Sequence, residues 1–347
     1  MSNNHDKLTR RNMLKMSAAG VGALALAGCS SPAEEPAAAE ENVEEASQEK
    51  QNYIWLCAVT SVAFWIDGRE GMEAAAEELG VTTEFLGPVE YDAAQQLKTL
   101  EELIATEPDG IMIFPADTES LNDAMKRAMD NDIPILCVNS DVSDPSARYG
   151  FVGPDNYQVG RQGGQIVAEL LGGSGQVAIM TVPGIEVHES RSGGYEDELA
   201  NYPDIEIVDI VNDESDPEVG LNVATQLIQA HPDLDLIIGT DATAGAAIAR
   251  ALKETGKDGE IKVVAMDRDQ DMLPYVKDGT IDATLAQNSE LEEWTALHYL
   301  YWLRNNSVPA FEEAGWKAAG APQVPRYTDT GVSVVTQDNV DFYIREE

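Results

Sequence analysis

The residues in this chain able to make specific polar contacts stand in a recurring place, just after short apolar runs. Ser61, Phe64 and Trp65 follow the run at 53–59, Asp117 follows 111–114, and Asn139 and Asp141 follow 133–138. Further on, a loop with Glu186, Glu189 and Arg191 follows 176–180, and Asn212, Asp213 and Glu214 follow 205–211. Asp241 follows 234–238, Asp267 follows 261–266 and Gln287 follows 281–286. The set holds an aromatic pair, several carboxylates and amides, one arginine and one glutamine. Such a wall suits a neutral, hydroxyl-rich ligand. Carboxylates accept from hydroxyls, Arg and Gln orient them, and an aromatic face packs on apolar C–H faces. Buried carboxylates need donors, and a sugar or polyol supplies them.

The same carboxylates admit two rival chemistries. Asp241 and Asp267 could act as a glycoside-hydrolase pair, but their spacing does not set them about one bond, and no nucleophile elbow or metal motif accompanies them. The acid excess could instead favour a cationic amine, with the aromatics adding cation–π contacts. Asp267-x-Asp269-x-Asp271 resembles the start of a calcium loop, yet Met272 and Asp278 stand where that loop needs Gly and Glu. The four histidines, His5, His188, His231 and His298, are scattered and read as structural or exposed. There is no G-x-G-x-x-G after the first strand and no G-x-x-x-x-G-K-[ST]. The expectation is therefore a binding protein with no catalytic residue, no metal and no cofactor.

These residues must be positioned by alternating elements. Strand-length apolar runs at 53–59, 81–86, 111–114 and 133–138 are separated by segments with helical periodicity, the first starting at 66 and the second capped by Asp92. After a short run at 149–153, helices at 156–171, up to about 200, from Pro217, at 244–253 and at 269–276 alternate with strands at 176–180, 205–211, 234–238, 261–266 and 281–286. A long helix at 290–303 and a late strand at 332–335 complete the pattern. This rhythm predicts parallel sheets, which bind ligands beyond the C-terminal ends of their strands. A chain of 347 residues, 43% of them hydrophobic, can build two such domains. The stretch 133–164 then serves as one rim of a ligand cleft and as the first crossing between lobes.

Charge narrows the class further. Lys+Arg total 22 against 62 Asp+Glu, a formal net charge of -40. That excludes nucleic acid, whose phosphates need basic partners, and a polybasic membrane patch. Acidic residues are spread over both halves, which fits a salt-adapted, halophilic surface whose self-repulsion salt would screen. Cys57 and Cys137 lie in apolar runs and read as buried free thiols. The first 28 residues read as a targeting sequence. Lys7, Arg10, Arg11 and Lys15 precede a small apolar run too short to remain as an anchor. Thr9-Arg10-Arg11 resembles a twin-arginine (Tat) export signal, and Leu26-Ala27-Gly28-Cys29 resembles a lipoprotein box with Cys29 as the lipidated residue. Residues 29–49, rich in Glu, Ala and Pro, read as a disordered acidic tether.

Over about 53–337 the chain resembles the ribose-binding-protein-like family, the type I solute-binding proteins of ABC sugar importers. The matching marks are Asp132-Ile133-Pro134-Ile135, Val152-Gly153-Pro154-Asp155-Asn156 with Gly160-Arg161, and Arg191 with Gly194-Tyr195. Gly220-Leu221-Asn222, the run 263–267 and Ala283-Thr284-Leu285-Ala286-Gln287 add to them. The resemblance implies an α/β, periplasmic-binding-protein-like type I fold: two Rossmann-like parallel-sheet lobes joined by a three-crossing hinge. It puts the N-terminal lobe at 50–153 and 288–328 and the C-terminal lobe at 154–287 and 329–347. It also implies that the ligand closes the lobes about that hinge. The family's sugar-stacking pair falls on Phe64 and Trp65, its strand-end Asp on Asn139 and the adjacent Arg on Ser140. Of its two second-lobe arginines one falls on Glu189 and the other on Arg191. Its pocket Asn falls on Asp241, its late Asp and Gln on Asp267 and Gln287, and an aromatic on Ser215. Together with the leader, the resemblance implies an exported, membrane-anchored monomer that binds a monosaccharide or polyol, or alternatively a signalling molecule, and presents it to ABC permease subunits, with a chemoreceptor as a further partner.

Overall fold

The computed structural model of the chain describes residues 50–307, 315, 316 and 318–345. The leader, the tether, His5 and the lipidation candidate Cys29 lie outside the described residues.

The first lobe follows the predicted alternation. β1 (Asn52–Leu56) leads to α1 (Trp65–Leu79), β2 (Thr82–Leu86), α2 (Ala93–Ile104), β3 (Gly110–Ile113), α3 (Asn122–Asp130), β4 (Ile135–Val138) and β5 (Gly150–Gly153). The second lobe repeats the plan. It runs α4 (Asn156–Leu171), β6 (Ser174–Thr181), α5 (Glu186–Leu199), β7 (Asp204–Asn212), α6 (Pro217–Ala230), β8 (Leu236–Gly239), α7 (Ala244–Thr255), β9 (Lys262–Met266), α8 (Leu273–Lys277) and β10 (Ala283–Gln287). The chain then returns to the first lobe for α9 (Ser289–Asn305) and β11 (Tyr327–Asp329), and ends in the second with β12 (Val332–Val335).

One sheet has the order β11-β5-β4-β3-β1-β2, all parallel, and the other β12-β10-β9-β8-β6-β7, parallel except for β12. β3, β4, β5 and β8 are buried at every residue, because helices cover both faces and leave no solvent side. Each lobe accordingly has two apolar clusters. In the first, Trp55, Met112 and Leu300 lie in one and Ile54, Ile111 and Met125 in the other. Cys57 and Cys137 are buried and free, as expected from their apolar runs.

Local chemistry sets the helix ends. Asp92 accepts from the Gln95 amide at 2.9 Å, and Asp155 from that of Gln158 at 3.1 Å, satisfying donors that the first turn leaves free. Three features depart from the sequence reading. α5 begins at Glu186, so Glu186, Glu189 and Arg191 sit on a helix and not in a loop. α8 starts only at Leu273, because Asp269 to Met272 form a turn closed by the Met272 amide on the Asp269 carbonyl. β11 is three residues long and half-exposed, too short and polar to carry an apolar signal.

Three segments pass between the sheets, after β5, after β10 and after β11. Two run side by side: the Thr330 amide donates to the Gly153 carbonyl at 3.2 Å, and the Asp155 amide to Asp329 Oδ1 at 3.3 Å.

Candidate functional site

The strand ends of both sheets converge on one cleft. β4 in the first lobe and β9 in the second end alike. The residue just after each, Asn139 and Asp267, has left-handed backbone, with φ of 65° and 69°, a conformation Asn and Asp tolerate better than most side chains. Each then donates its amide to the neighbouring strand, Asn139 to the Val152 carbonyl at 3.0 Å and Asp267 to the Leu285 carbonyl at 2.9 Å. The two turns aim their polar side chains at each other across Gln287, the last residue of β10. Asn139 Nδ2 donates to Gln287 Oε1 at 3.0 Å, and Gln287 Nε2 donates to Asp267 Oδ1 at 2.8 Å. Glu292 on α9 also accepts from Asn139 Nδ2, at 3.2 Å.

Arg191 reaches the same place from α5. Gly160 on α4 allows it: a Cβ there would stand 2.0 Å from the Arg191 carbonyl oxygen, so only glycine lets α5 approach this closely. The guanidinium is buried, 2% exposed. Its Nε donates to Asn156 Oδ1 and its Nη1 to the Thr240 carbonyl, both at 2.9 Å. Asn156 in turn donates to the Asn139 carbonyl at 3.0 Å, so the arginine is tied to both lobes. Its Nη2 has no partner among the described residues.

Asp241, at the end of β8, uses one oxygen to cap α7. Oδ1 accepts from the Thr243 amide at 2.8 Å and its hydroxyl at 2.7 Å. Neither its Oδ2 nor Oδ2 of Asp213 accepts from an N–H or hydroxyl of another described residue, and the two carboxyls lie within hydrogen-bond reach of each other. Burial raises the Asp213 carboxyl well above the ordinary range, and the facing Asp241 raises it further. Burial also pushes Asp267 up to about 6, against the opposing pull of Arg191. Burial lowers His188, so its imidazole is neutral at neutral pH; its Nδ1 lies 3.4 Å from the Thr240 carbonyl.

Apolar and aromatic side chains close the other side. Phe64 and Trp65 meet edge to face with centroids 4.7 Å apart, and Trp65 lies 4.8 Å from Phe114. Trp65 is 4% exposed, so it belongs to the lobe's core as much as to the cleft wall.

Phe64, Trp65, Asn139, Arg191, Asp241, Asp267 and Gln287 thus line one inner cavity of about 40 Å³. It opens into an outer chamber of about 670 Å³, and Ser61 lines that chamber and not the inner cavity. Asp141 joins neither. Both its oxygens are taken by Arg148, with Nε at 2.5 Å and Nη2 on the other. Arg148 also donates to the Arg326 carbonyl at 2.9 Å, so the pair braces the lobe; the strand-end reading of Asp141 is corrected accordingly. Tyr91, His188 and Phe114 line the inner cavity without having been foreseen. Tyr91 follows β2 and was open to the strand-end rule, whereas nothing local marks His188, which is buried in the wall. Among the described residues no group of His, Cys, Asp and Glu could hold a metal ion. Nor is any helix among them long and apolar enough to cross a membrane.

The profile of the periplasmic binding protein domain matches residues 53–305. The chain is 28% identical over 285 residues to a xylitol-binding protein of Mycolicibacterium smegmatis, covering 81% of this chain and 76% of that one. A sugar-binding protein of a sugar ABC transporter from Bacillus halodurans, solved as a crystal structure, is 32% identical. It matches with a TM-score of 0.74 over 85% of this chain and all (100%) of its own. An ABC transporter solute-binding protein from Burkholderia graminis C4D1M, solved with D-arabinose, is 29% identical, with a TM-score of 0.77 over 86% of this chain and 99% of its own.

Proposed function

Since the chain belongs to the periplasmic binding protein domain family, we propose that it captures a sugar or polyol between its lobes and presents it to the membrane subunits of an ABC importer. One observation carries this reading: a buried donor, Arg191 Nη2, stands without a partner on a cavity wall that also holds the Asp241 carboxyl and the Gln287 amide. Buried polar groups in folded proteins are nearly always hydrogen-bonded. A ligand hydroxyl can accept from the guanidinium, which a purely donating ammonium cannot do. The raised Asp213 carboxyl, protonated at neutral pH, removes negative charge that a cationic amine would require. A neutral polyhydroxy ligand therefore fits better than an amine.

The family is one of substrate-binding proteins, and the role proposed for the chain involves no chemistry. Ser61, Phe64, Trp65, Asn139, Arg191, Asp241, Asp267 and Gln287 would contact the ligand. The moving bodies would be 50–153 with 288–328 and 154–287 with 329–347, turning about the three crossings. Export by the twin-arginine signal, lipidation at Cys29 and display of a monomer outside the cytoplasmic membrane by the tether at 29–49 complete the proposal. A chemoreceptor is a further partner for the closed form. Calorimetry with pentoses, hexoses, inositols and cationic amines tests the ligand class. Tight amine binding without carbohydrate binding reverses it. Small-angle scattering tests closure, and no compaction with a tight ligand overturns the hinge. Mass spectrometry of the mature N-terminus tests the anchor.

A further inference from the structure

We infer that Glu292 is a positioning residue for ligand binding: from behind the cleft wall it ties the hinge crossings to that wall, and it holds the closed form through a proton. The inference rests on the proposed binding by lobe closure and adds a control by pH to it.

Glu292 lies in the first turn of α9. Its side chain is fully buried, at 0% exposure, and does not line the inner cavity. Each of its oxygens serves a different part of the hinge. Oε1 accepts from the Thr330 hydroxyl at 3.1 Å, and Thr330 follows β11 on the third crossing. Oε2 accepts from Asn139 Nδ2 at 3.2 Å. Asn139 carries the link to the other two crossings. Its carbonyl accepts from Asn156, just past the first, and its side chain donates to Gln287, at the start of the second, both at 3.0 Å. One buried carboxyl thus sits where the crossings and the wall meet.

Ionising a carboxyl in this place is costly. Burial lifts Glu292 to about 7, against the pull of the Thr330 and Asn139 bonds. Of the charges that face it, Asp267 after β9 raises it and Arg191 on α5 lowers it. Glu293, the next residue of α9, is also fully buried, and neither of its oxygens has a partner among the described residues. Burial, and then Glu292, raise the Glu293 carboxyl well above the ordinary range.

The protonated form of Glu292 keeps both contacts. Its O–H donates to the Thr330 hydroxyl oxygen, and its other oxygen still accepts from Asn139. Opening of the lobes parts Asn139 from Gln287, admits water to Glu292 and returns its carboxyl toward the ordinary value of 4.5. The closed form therefore binds this proton more tightly than the open form. The resulting advantage of the closed form is complete below that value and is lost as pH rises through about 7.

Calorimetry on the full chain at about pH 5.5 and about pH 8.5 tests this, with D-ribose, D-arabinose, D-xylose and xylitol as probes. Small-angle scattering of the chain without sugar accompanies it at the same two pH values. The parent should bind its tightest probe about tenfold more weakly at the higher pH. Glu292→Gln repeats the contacts of the protonated carboxyl and cannot ionise. It should lose most of that dependence and bind severalfold tighter than the parent at the higher pH, a gain that a merely structural role would not produce. Thr330→Val removes a donor that favours the ionised form, so the pH at which affinity falls should move up. Glu293→Gln should respond to pH as the parent does. A parent affinity that does not change with pH overturns the inference and leaves the sugar-binding reading standing. So does a response as large as the parent's in Glu292→Gln or, should that variant not fold, an unmoved midpoint in Thr330→Val. Binding of none of the probes overturns the sugar-binding reading for them, and scattering then decides. The parent should be more compact at the lower pH and Glu292→Gln compact at both; a parent of equal size at both overturns the inference as well.

Discussion

The side-chain amide of Asn139 donates to the side-chain oxygen of Gln287 at 3.0 Å, joining the end of a strand in one lobe to the end of a strand in the other. Gln287 passes the link on to Asp267 at 2.8 Å. Gln287→Ala removes both bonds, leaving Asn139 Nδ2 with only its Glu292 contact and Asp267 Oδ1 without the Gln287 donor, a loss of about 1–3 kcal/mol. We expect reduced stability in denaturant and at least tenfold weaker ligand binding by calorimetry. An unchanged affinity would mean that the link braces the crossings without shaping the site.

The approach of α4 to α5 sets where Arg191 stands. A Cβ at Gly160 would lie 2.0 Å from the Arg191 carbonyl oxygen, so Gly160→Ala must push α5 away. The expected loss is about tenfold or more in affinity, roughly 1.4 kcal/mol, with helical content unchanged by circular dichroism. Gly193→Ala, on α5 itself with open space around its Cβ, is the control and should bind as the parent does. Equal behaviour of the two variants would contradict the positioning role.

Arg345, near the chain end and held to the second lobe by Gln270, reaches Asp67 and Glu70 on α1 of the first, the Glu70 contact at 2.8 Å. Arg268 joins Asp67 at 2.6 Å. These pairs span the lobes, so they favour the closed arrangement. Exposed pairs contribute only about 0.2–1 kcal/mol. Arg345→Ala should therefore weaken ligand binding about two- to fivefold at low salt, and by nothing measurable in molar salt. A loss that persists in molar salt would point to packing and not charge.

Asp267 links site and stability to pH. Burial raises its carboxyl from 3.8 to about 6. The folded protein thus holds this proton where the unfolded chain has lost it. Its contribution is fully present below pH 4 and is lost as pH rises through about 6. Asp267→Asn keeps the shape and cannot ionise. Its stability relative to the parent should rise between pH 4 and pH 7 by at most ~3 kcal/mol. A difference that stays constant with pH, followed by thermal melting, would refute the assignment.

A formal net charge of -40 implies strong self-repulsion. If the surface is salt-adapted, the melting temperature climbs steeply from low to molar salt. A flat response removes that reading.

Much of the architecture could be read from the chain because its signals are local. Apolar runs in β3, β4 and β8, bounded by helical periodicity and by caps such as Asp92, report a parallel sheet whatever lies elsewhere. The strand-end rule found Asn139, Asp241 and Asp267 for the same reason: their positions follow from where a strand stops. β11, with three half-exposed residues, gave no such signal. The rule also could not separate Asp267, which faces the cleft, from Asp141, which Arg148 claims from seven residues away.

The alternation of strands and helices, the helix caps and the residues at strand ends were therefore decided by the sequence itself, since each depends on neighbours a few positions apart. Which of those residues share a wall was decided only by the tertiary structure. The return of the chain to the first lobe brings Glu292 beside Asn139. The close packing of α4 and α5 brings Arg191 beneath both lobes, and the meeting of two sheets buries His188 and lifts the carboxyls of Asp213 and Asp267. Burial and pairing across more than a hundred residues are properties of the folded chain, and no local pattern encodes them.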